Sequence, residues 1–386
     1  ARRGRQVLDF AFPAGLVIEK GMDMHSDACI AQADIKQYYD TLRPIILCRW
    51  MLRKSVDPGL VATFARIHLC TQVVIKVGQS SVEIPDRCIG TLTGSRSASA
   101  AGRIPLLDAA LHRCHFWNTL SFSTDDRQFS LATYVDNLLS TGSSPEAAVA
   151  ILEDCGQYLE QHWSLRFGED SKEYLVSRGY RHQIAIDDSW QCKSTLRCLG
   201  HFIDDDSGMR SCFEHCKAAM WRCFFGNYSA GLKGSSAKAK TRFLHSSVST
   251  IPSFRWARWP IETTYETALD SIQRHMIGIL MGWKPSPQEP FEHFRRRRHN
   301  LSSQLAARHG KWSETWATNV KTWGDHVCRN HDEATWSHAL LKFHDDDWLQ
   351  QQRLASSRLG ESRTNTRAFQ GKVQRRWHEG FAKACN

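Results

Sequence analysis

No stretch of this sequence strings together the roughly 18 apolar residues that a membrane-spanning helix needs, so no span is expected. No signal-peptide pattern stands out. Thirteen cysteines, an odd number scattered over 386 residues, do not make the evenly paired set of a secreted disulfide scaffold. They read as buried or free thiols of a reducing compartment, nuclear or cytoplasmic. Well-separated metal-binding pairs are also lacking. Cys212, His215, Cys216 and Cys223 crowd one helical stretch, whereas a zinc site usually draws on two distant pairs, so buried thiols are the plainer reading. No Cys/His knuckle follows. What is present is enough apolar material for a core, 41% hydrophobic, and length for two or three domains. The formal net charge of +10 points to a polyanionic partner, most simply nucleic acid, against the bland alternative of a basic surface kept for solubility. The chain opens on Ala1 rather than Met, which reads as a fragment or a processed product.

The stretch that organises the rest is Thr133-Tyr134-Val135-Asp136-Asn137-Leu138-Leu139. Apolar alternation from Phe129, then Asp-Asn, then a second apolar run predicts a strand, a tight turn and a strand. The turn lifts Asp136 out of the pleat. About a hundred residues upstream, Ala28 to Asp40 is a short, mostly apolar run that ends on Asp34. If the two strands are neighbours, Asp34 and Asp136 converge at one end. Mg²⁺ takes hard oxygen ligands, few protein carboxylates and substrate phosphates. Two carboxylates holding two ions that clamp the attacking and leaving oxygens is a nucleotidyl-transfer arrangement.

These residues, in this order, resemble the reverse transcriptases of non-LTR (LINE-like) retrotransposons. Asp34-Ile35-Lys36-Gln37-Tyr38-Tyr39-Asp40 is similar to the family's first palm motif. Gly90 to Ser95 is similar to the second, with Thr93-Gly94 where Gln-Gly is usual. Tyr134-Val135-Asp136-Asn137 is similar to the third, with Asn137 in place of the second Asp. Lys172 stands where the fourth motif has its lysine, and Leu196 to Ile203, with Leu199-Gly200, is similar to the primer-grip hairpin. The resemblance spans roughly residues 28–205 and runs more loosely to about 285.

The resemblance implies an α+β fold: a polymerase palm, an antiparallel sheet with helices on one face, then a helical thumb and a helical C-terminal region. Residues 1–27 would be a remnant of shortened fingers, 28–205 the palm with part of the fingers, 206–285 the thumb and 286–386 a basic helical region, partly disordered after about 355. It implies an RNA-directed DNA polymerase that uses Mg²⁺ or Mn²⁺, an RNA template, a DNA primer and deoxynucleoside triphosphates. Asp34 and Asp136 would hold both ions, with the Ile35 carbonyl and Asn137 as neutral donors. Tyr39 would sit under the sugar, Thr93 and Gly94 near the substrate, and Lys172 would protonate pyrophosphate. Asn137 carries no charge, so weaker Mg²⁺ binding is expected, and a catalytically impaired RNA-binding or scaffold module is the alternative.

The remaining residues give local expectations. Pro44 and Asp57-Pro58 start helices, and Thr71–Val77 with Val82–Ile84 makes a hairpin about a Gly78–Ser81 turn. Ala98–Leu111 is helical, with Pro105 free to kink or split it. Ser144-Pro145-Glu146 caps a helix striped by Ile151, Leu152, Cys155 and Leu159. Trp163–Phe167 and Glu173–Ser177 look like short strands. Asp204-Asp205-Asp206 reads as a solvated turn. Lys233, Lys238, Lys240 and Arg242 lie on a helix from Lys233 to Val248 and suit contacts to a duplex backbone, as Leu199 and Gly200 do by resemblance. Glu262–Met281 is an amphipathic helix, and Pro285, Pro287 and Pro290 mark a linker. Arg295 to Arg298 is a phosphate patch, a nuclear import signal or a solvated face. Trp312, Trp316, Trp323, Trp336 and Trp348 recur at helical spacing as the core of a small helical domain.

Overall fold

A computed structural model describes residues 7–23, 27–84, 89–92, 95–124, 127–177, 186, 188–206 and 208–329, with 336, 337, 339, 340 and 377. It divides into two units, residues 1–200 with 205–207, and residues 201–204 with 208–386. Among the described residues, no helix is long and apolar enough to cross a membrane.

The first unit begins with α1 (Leu8–Asp23) and β1 (Cys29–Asp34), then α2 (Tyr38–Thr41), α3 (Pro44–Arg53) and α4 (Pro58–Leu69). The hairpin β2 (Val73–Val77) and β3 (Ser80–Ile84) follows, then α5 (Arg96–Ala101) and α6 (Ile104–Leu120). Next come β4 (Phe122–Thr124), β5 (Arg127–Phe129), β6 (Leu131–Tyr134), β7 (Asn137–Gly142) and α7 (Pro145–Trp163). The unit closes with β8 (Glu173–Val176), β9 (Gln191–Cys192) and β10 (Thr195–Cys198). Local chemistry sets the starts. Asp57 Oδ1 accepts from the Leu60 amide at 3.0 Å, and the Ser144 hydroxyl from the Ala147 amide at 3.2 Å. Prolines fill the first turns of α3, α4, α6 and α7, where their missing N–H costs nothing. Pro105 thus begins a helix, and the stretch from Ala98 divides into α5 and α6.

A five-stranded sheet runs β6-β7-β1-β8-β9. The first three ladders are antiparallel, and β9 joins β8 in parallel, so the sheet is mixed at that edge and not wholly antiparallel as expected. Ser140 bonds to the Ala148 carbonyl of α7, and a side chain at Gly142 would strike Ala148. Ala31 pairs with Ser140, so Cys29, Ala31, Ala33 and Ile35 face α7 and share a core with Ile151, Leu152, Cys155 and Trp163. The even-numbered residues of β1 face the other way. That face also meets a helix, contrary to the one-sided arrangement expected. Phe10 of α1 lies 6.3 Å from the Tyr134 ring, and Gly21 sits against Ala28 and Ser177. The reason is composition: α1 is apolar on nearly every side, and Leu8, Phe10, Phe12, Leu16, Val17 and Ile18 are all buried. Trp163 ends α7 instead of starting a strand, and only Phe167 beyond it bridges to Ile35.

The second unit takes in β11 (His201–Asp204), which follows a turn with Leu199 and Gly200 at φ 48° and 84°. It continues through α8 (Arg210–Gly226), α9 (Ala230–Gly234), α10 (Ala237–Phe243), a π-helical segment (Leu244–Val248), α11 (Thr250–Trp256), α12 (Thr263–Met281), α13 (Phe291–His309) and α14 (Trp312–Arg329). The single helix expected from Lys233 to Val248 is therefore broken. Ser236 caps a fresh start by accepting from the Ala239 amide, which ends the preceding turn. Leu269, Ile272, Met276 and Leu280 of α12 point inward. Trp312, Trp316 and Trp323 of α14 are buried with them, and Trp348 lies outside the described residues. The proline-rich segment does not set the last helices apart. Buried Gln273 of α12 donates to the Gly310 carbonyl at 2.9 Å and accepts from the Trp312 amide at 3.1 Å. Asp270 caps α14 through Ser313.

Candidate active site

The acidic pair is built by register. Asp34, the last residue of β1, pairs directly with Asn137, the first residue of β7. Tyr134 pairs with Asn137 in turn, leaving Val135 and Asp136 as a two-residue turn. The Ile35 amide donates to the Asp136 carbonyl at 3.0 Å, so the turn is fixed to the end of β1. Val135 has φ 61°, in the left-handed region that a β-branched residue rarely enters. Such strain, on the order of 1–3 kcal/mol, persists only where the surroundings impose it. Here β1 and the β6–β7 ladder impose it, and Asp136 is held at the tip.

Asp34 lies on the sheet face away from α7. Its backbone is gripped from the short turn before β8: the Gly168 amide donates to the Asp34 carbonyl at 2.9 Å, and the Asp34 amide donates to the Ser171 hydroxyl at 3.0 Å. Its Oδ1 is buried without a hydrogen-bond partner. Burial, then the nearby charge of Asp136, pushes the Asp34 carboxyl up to about 6. An under-coordinated carboxylate next to a second one is a site short of positive charge. Among the described residues no group of three or more His, Cys, Asp or Glu is placed to hold a metal. Two carboxylates with neutral oxygens nearby nonetheless match Mg²⁺, which binds through one or two carboxylates plus substrate phosphates. Asn137 turns its Nδ2 to Asp136 Oδ1 at 3.3 Å.

The other expected residues fall in several places. Ile35 has its side chain in the core and its backbone against Asp136. Tyr39 is half-buried, its ring 5.5 Å from that of Tyr38 and close to Gly102, and its carbonyl accepts from the Thr91 amide at 2.7 Å. Thr93 and Gly94 lie outside the described residues. Lys172 sits between the gripping turn and β8, with its ammonium 5.8 Å from the Trp190 ring centre. Leu199 and Gly200 form the β10–β11 turn. Lys238 and Arg242 are exposed, and Lys233 is exposed beside Tyr228, 4.6 Å from its ring. Lys240 is buried at 8% exposure, which takes it out of a backbone-contacting row: it falls on the inner side of α10, beside buried Thr241. Of the arginine run, Arg297 pairs with Glu289 and Arg298 packs on Gly278, while Arg295 and Arg296 are exposed. Cys212 accepts from Trp259 Nε1 at 3.3 Å and Cys216 from Arg255 at 3.5 Å, a setting of donors and guanidinium that suits a thiol rather than a cation.

Ser171 escaped the sequence reading. Its hydroxyl accepts from the Asp34 amide at 3.0 Å and donates to the Gly168 carbonyl at 2.7 Å. The only sequence signal was a Gly-x-x-Ser turn immediately before Lys172.

No protein-family profile matches this chain, and no curated protein matches it. Among solved structures, the chain is similar to telomerase from Candida albicans in complex with a TWJ fragment of telomeric RNA, at 12% identity and a TM-score of 0.38 over 87% of this chain and 54% of that one. It is similar to apo telomerase from Candida tropicalis at 12% identity and a TM-score of 0.37, over 87% of this chain and 56% of that one. A Candida tropicalis telomerase truncated of its C-terminal domain matches over 52% of this chain and 38% of that one, at 12% identity and a TM-score of 0.38. The chain spans about half the length of the first two telomerase structures.

Proposed function

We propose that the chain is an RNA-directed DNA polymerase of the non-LTR retrotransposon kind, extending a DNA primer on an RNA template with deoxynucleoside triphosphates. The observation that carries this reading is the meeting of Asp34 and Asp136 at adjacent strand ends, with Asp34 raised by burial and by its neighbour's charge. Residues 28–205 would form the palm with part of the fingers, 206–285 the thumb and 286–386 a basic helical region.

Asp34 and Asp136 would hold Mg²⁺ or Mn²⁺, with the Ile35 carbonyl and the Asn137 amide oxygen as neutral donors. When bound, the ions neutralise charge at the reacting phosphate and make the primer 3′-hydroxyl a better nucleophile. The protein's own part is positioning. Gly168 and Ser171 hold the Asp34 peptide, and the strained Val135 turn holds Asp136. Tyr39 would stand under the sugar. Lys172, released from the Trp190 ring, would protonate the departing pyrophosphate.

A second reading is a palm-derived RNA-binding or scaffold module without turnover. It is favoured by Asn137, whose amide donor faces Asp136 where a further carboxylate is usual. Primer extension on an RNA template in Mg²⁺ or Mn²⁺ separates the two. Parent protein should extend the primer and Asp136→Ala should lose at least a hundredfold in rate. Equal incorporation by both removes the polymerase reading, and RNA binding by a parent that incorporates nothing establishes the second.

A further inference from the structure

A second pocket lies on the α7 side of the first unit, built from α3, α6 and α7 and from none of the acidic residues above. It encloses about 400 Å³, at the small end of the range for ligand sites, and is lined by Ile46, Trp50, Asp108, Tyr158 and Trp163, among others. Asp108 is its floor. Trp50 Nε1 donates to its carboxylate at 2.7 Å, the Tyr158 hydroxyl at 3.0 Å and Trp163 Nε1 at 3.2 Å. Burial alone would raise this carboxyl, but the three donors hold it below the usual range. Its acceptor capacity is therefore committed to the protein. Its structural effect is to lock three aromatic rings, one from α3 and two from α7, onto one residue of α6.

The rim has the opposite sign. Arg53 and Lys54 are exposed, and among the described residues neither has a carboxylate partner. Lys54 Nζ lies 5.8 Å above the Trp50 ring, and the Arg53 charge reaches Tyr158. His112 and His162 both pack against Tyr158, at 5.7 Å and 4.3 Å between rings. The His112 Nδ1 approaches the Asp108 carbonyl at 2.8 Å, which gives Nδ1 the proton and leaves Nε2 to the other side of the ring. Rigid aromatic faces beneath uncompensated cations fit a ligand that is flat at one end and anionic at the other. Stacking on such faces tolerates any base, and guanidinium and ammonium groups are the usual partners of phosphate.

We propose that this pocket binds one nucleoside monophosphate unit, its base against Trp50 and Tyr158 and its phosphate on Arg53 and Lys54. The unit has two sources, a free mononucleotide or an unstacked 5′-terminal nucleotide of a strand. The proposal does not rest on the polymerase reading.

The test is calorimetric titration of the full chain with AMP, GMP, CMP and UMP, and with a 5′-phosphorylated single-stranded oligonucleotide. Photocrosslinking with 4-thio-UMP then maps the adduct. At least one of these ligands should bind at a single saturable site, with the adduct on the peptide bearing Trp50 or Tyr158. Arg53→Gln with Lys54→Gln should weaken binding at least tenfold at an unchanged thermal midpoint, because both side chains are exposed. Asp136→Ala should bind like the parent, which separates this site from the acidic pair. Tighter binding of the oligonucleotide assigns the strand terminus; equal or tighter binding of a mononucleotide assigns the free ligand. No saturable binding of any of the five, unchanged affinity in the double variant, or adducts confined to other peptides would overturn the proposal.

Discussion

Asp34 is the residue on which the proposed chemistry turns, and its environment makes a prediction about pH. Its carboxyl is raised to about 6 from an ordinary value near 3.8, by burial first and by Asp136 second. A raised folded value means that the folded protein holds this proton more tightly than the unfolded chain does. The associated stability is present below the unfolded value and is lost as pH rises from about 4 through about 6. Asp34→Asn, neutral throughout, should abolish that part of the pH dependence and be the more stable protein at pH 8 without added metal. Millimolar Mg²⁺ should restore the parent, by on the order of 1 kcal/mol at tenfold excess over its Kd, and leave Asp34→Asn unmoved. Thermal midpoints of both proteins from pH 4 to 8, with and without Mg²⁺, decide it. A parent midpoint that is flat across this range, or a variant that responds to Mg²⁺ equally, would count against a charge-starved acidic pair.

At the scale of elements, Asp108 ties α3, α6 and α7 through one carboxylate. Asp108→Ala leaves the Trp50, Tyr158 and Trp163 donors without their acceptor. Trp50 and Tyr158 can recover water at the pocket mouth, and buried Trp163 cannot, so a cost of about 3 kcal/mol is expected. Asp108→Asn keeps one acceptor oxygen and should cost about half as much. Urea midpoints measure both, and a loss below about 1 kcal/mol for the alanine variant would deny the tie. This node was not legible in the sequence, because its members lie on three helices and a buried Asp resembles a solvated one when read alone. What was legible is local. Pro44, Asp57-Pro58 and Ser144-Pro145 mark helix starts by backbone chemistry that no tertiary contact overrides. The Asp34 and Asp136 strands were readable because alternation ends on each acid, although their shared register is a tertiary fact. The failures were of a different kind. Ser236 competes for backbone donors and breaks a periodic stretch, and Lys240 turns inward because the break resets which side of the helix faces the core. The second covering of the sheet by α1 went unread because an apolar run alone does not say which face it will seek.

Across the whole molecule, the charge is not shared. Residues 1–200 hold 22 Lys and Arg against 22 Asp and Glu, while residues 208–386 hold 28 against 15. The excess that suggested a polyanionic partner thus belongs entirely to the part of the chain after residue 207. If that excess contacts phosphates, each contact releases counterions and adds about 0.7 to 0.9 to the slope of log K against log salt. Lys238, Arg242 and Arg296 are exposed and, among the described residues, unpaired, so they contribute charge to solvent instead of to an internal bridge. The triple variant Lys238→Gln, Arg242→Gln and Arg296→Gln should therefore lower the slope for RNA–DNA duplex by about 2 to 3. Removing three exposed charges from the balanced part of the chain, Arg43→Gln, Arg49→Gln and Arg66→Gln, should lower it by less than about 1, since no net excess there attracts a strand. Duplex binding measured between about 50 and 200 mM salt compares the two variants with the parent. Equal losses from both sets would mean that phosphate contacts are distributed without regard to net charge, and the basic second unit would lose its claim to be the duplex-holding surface.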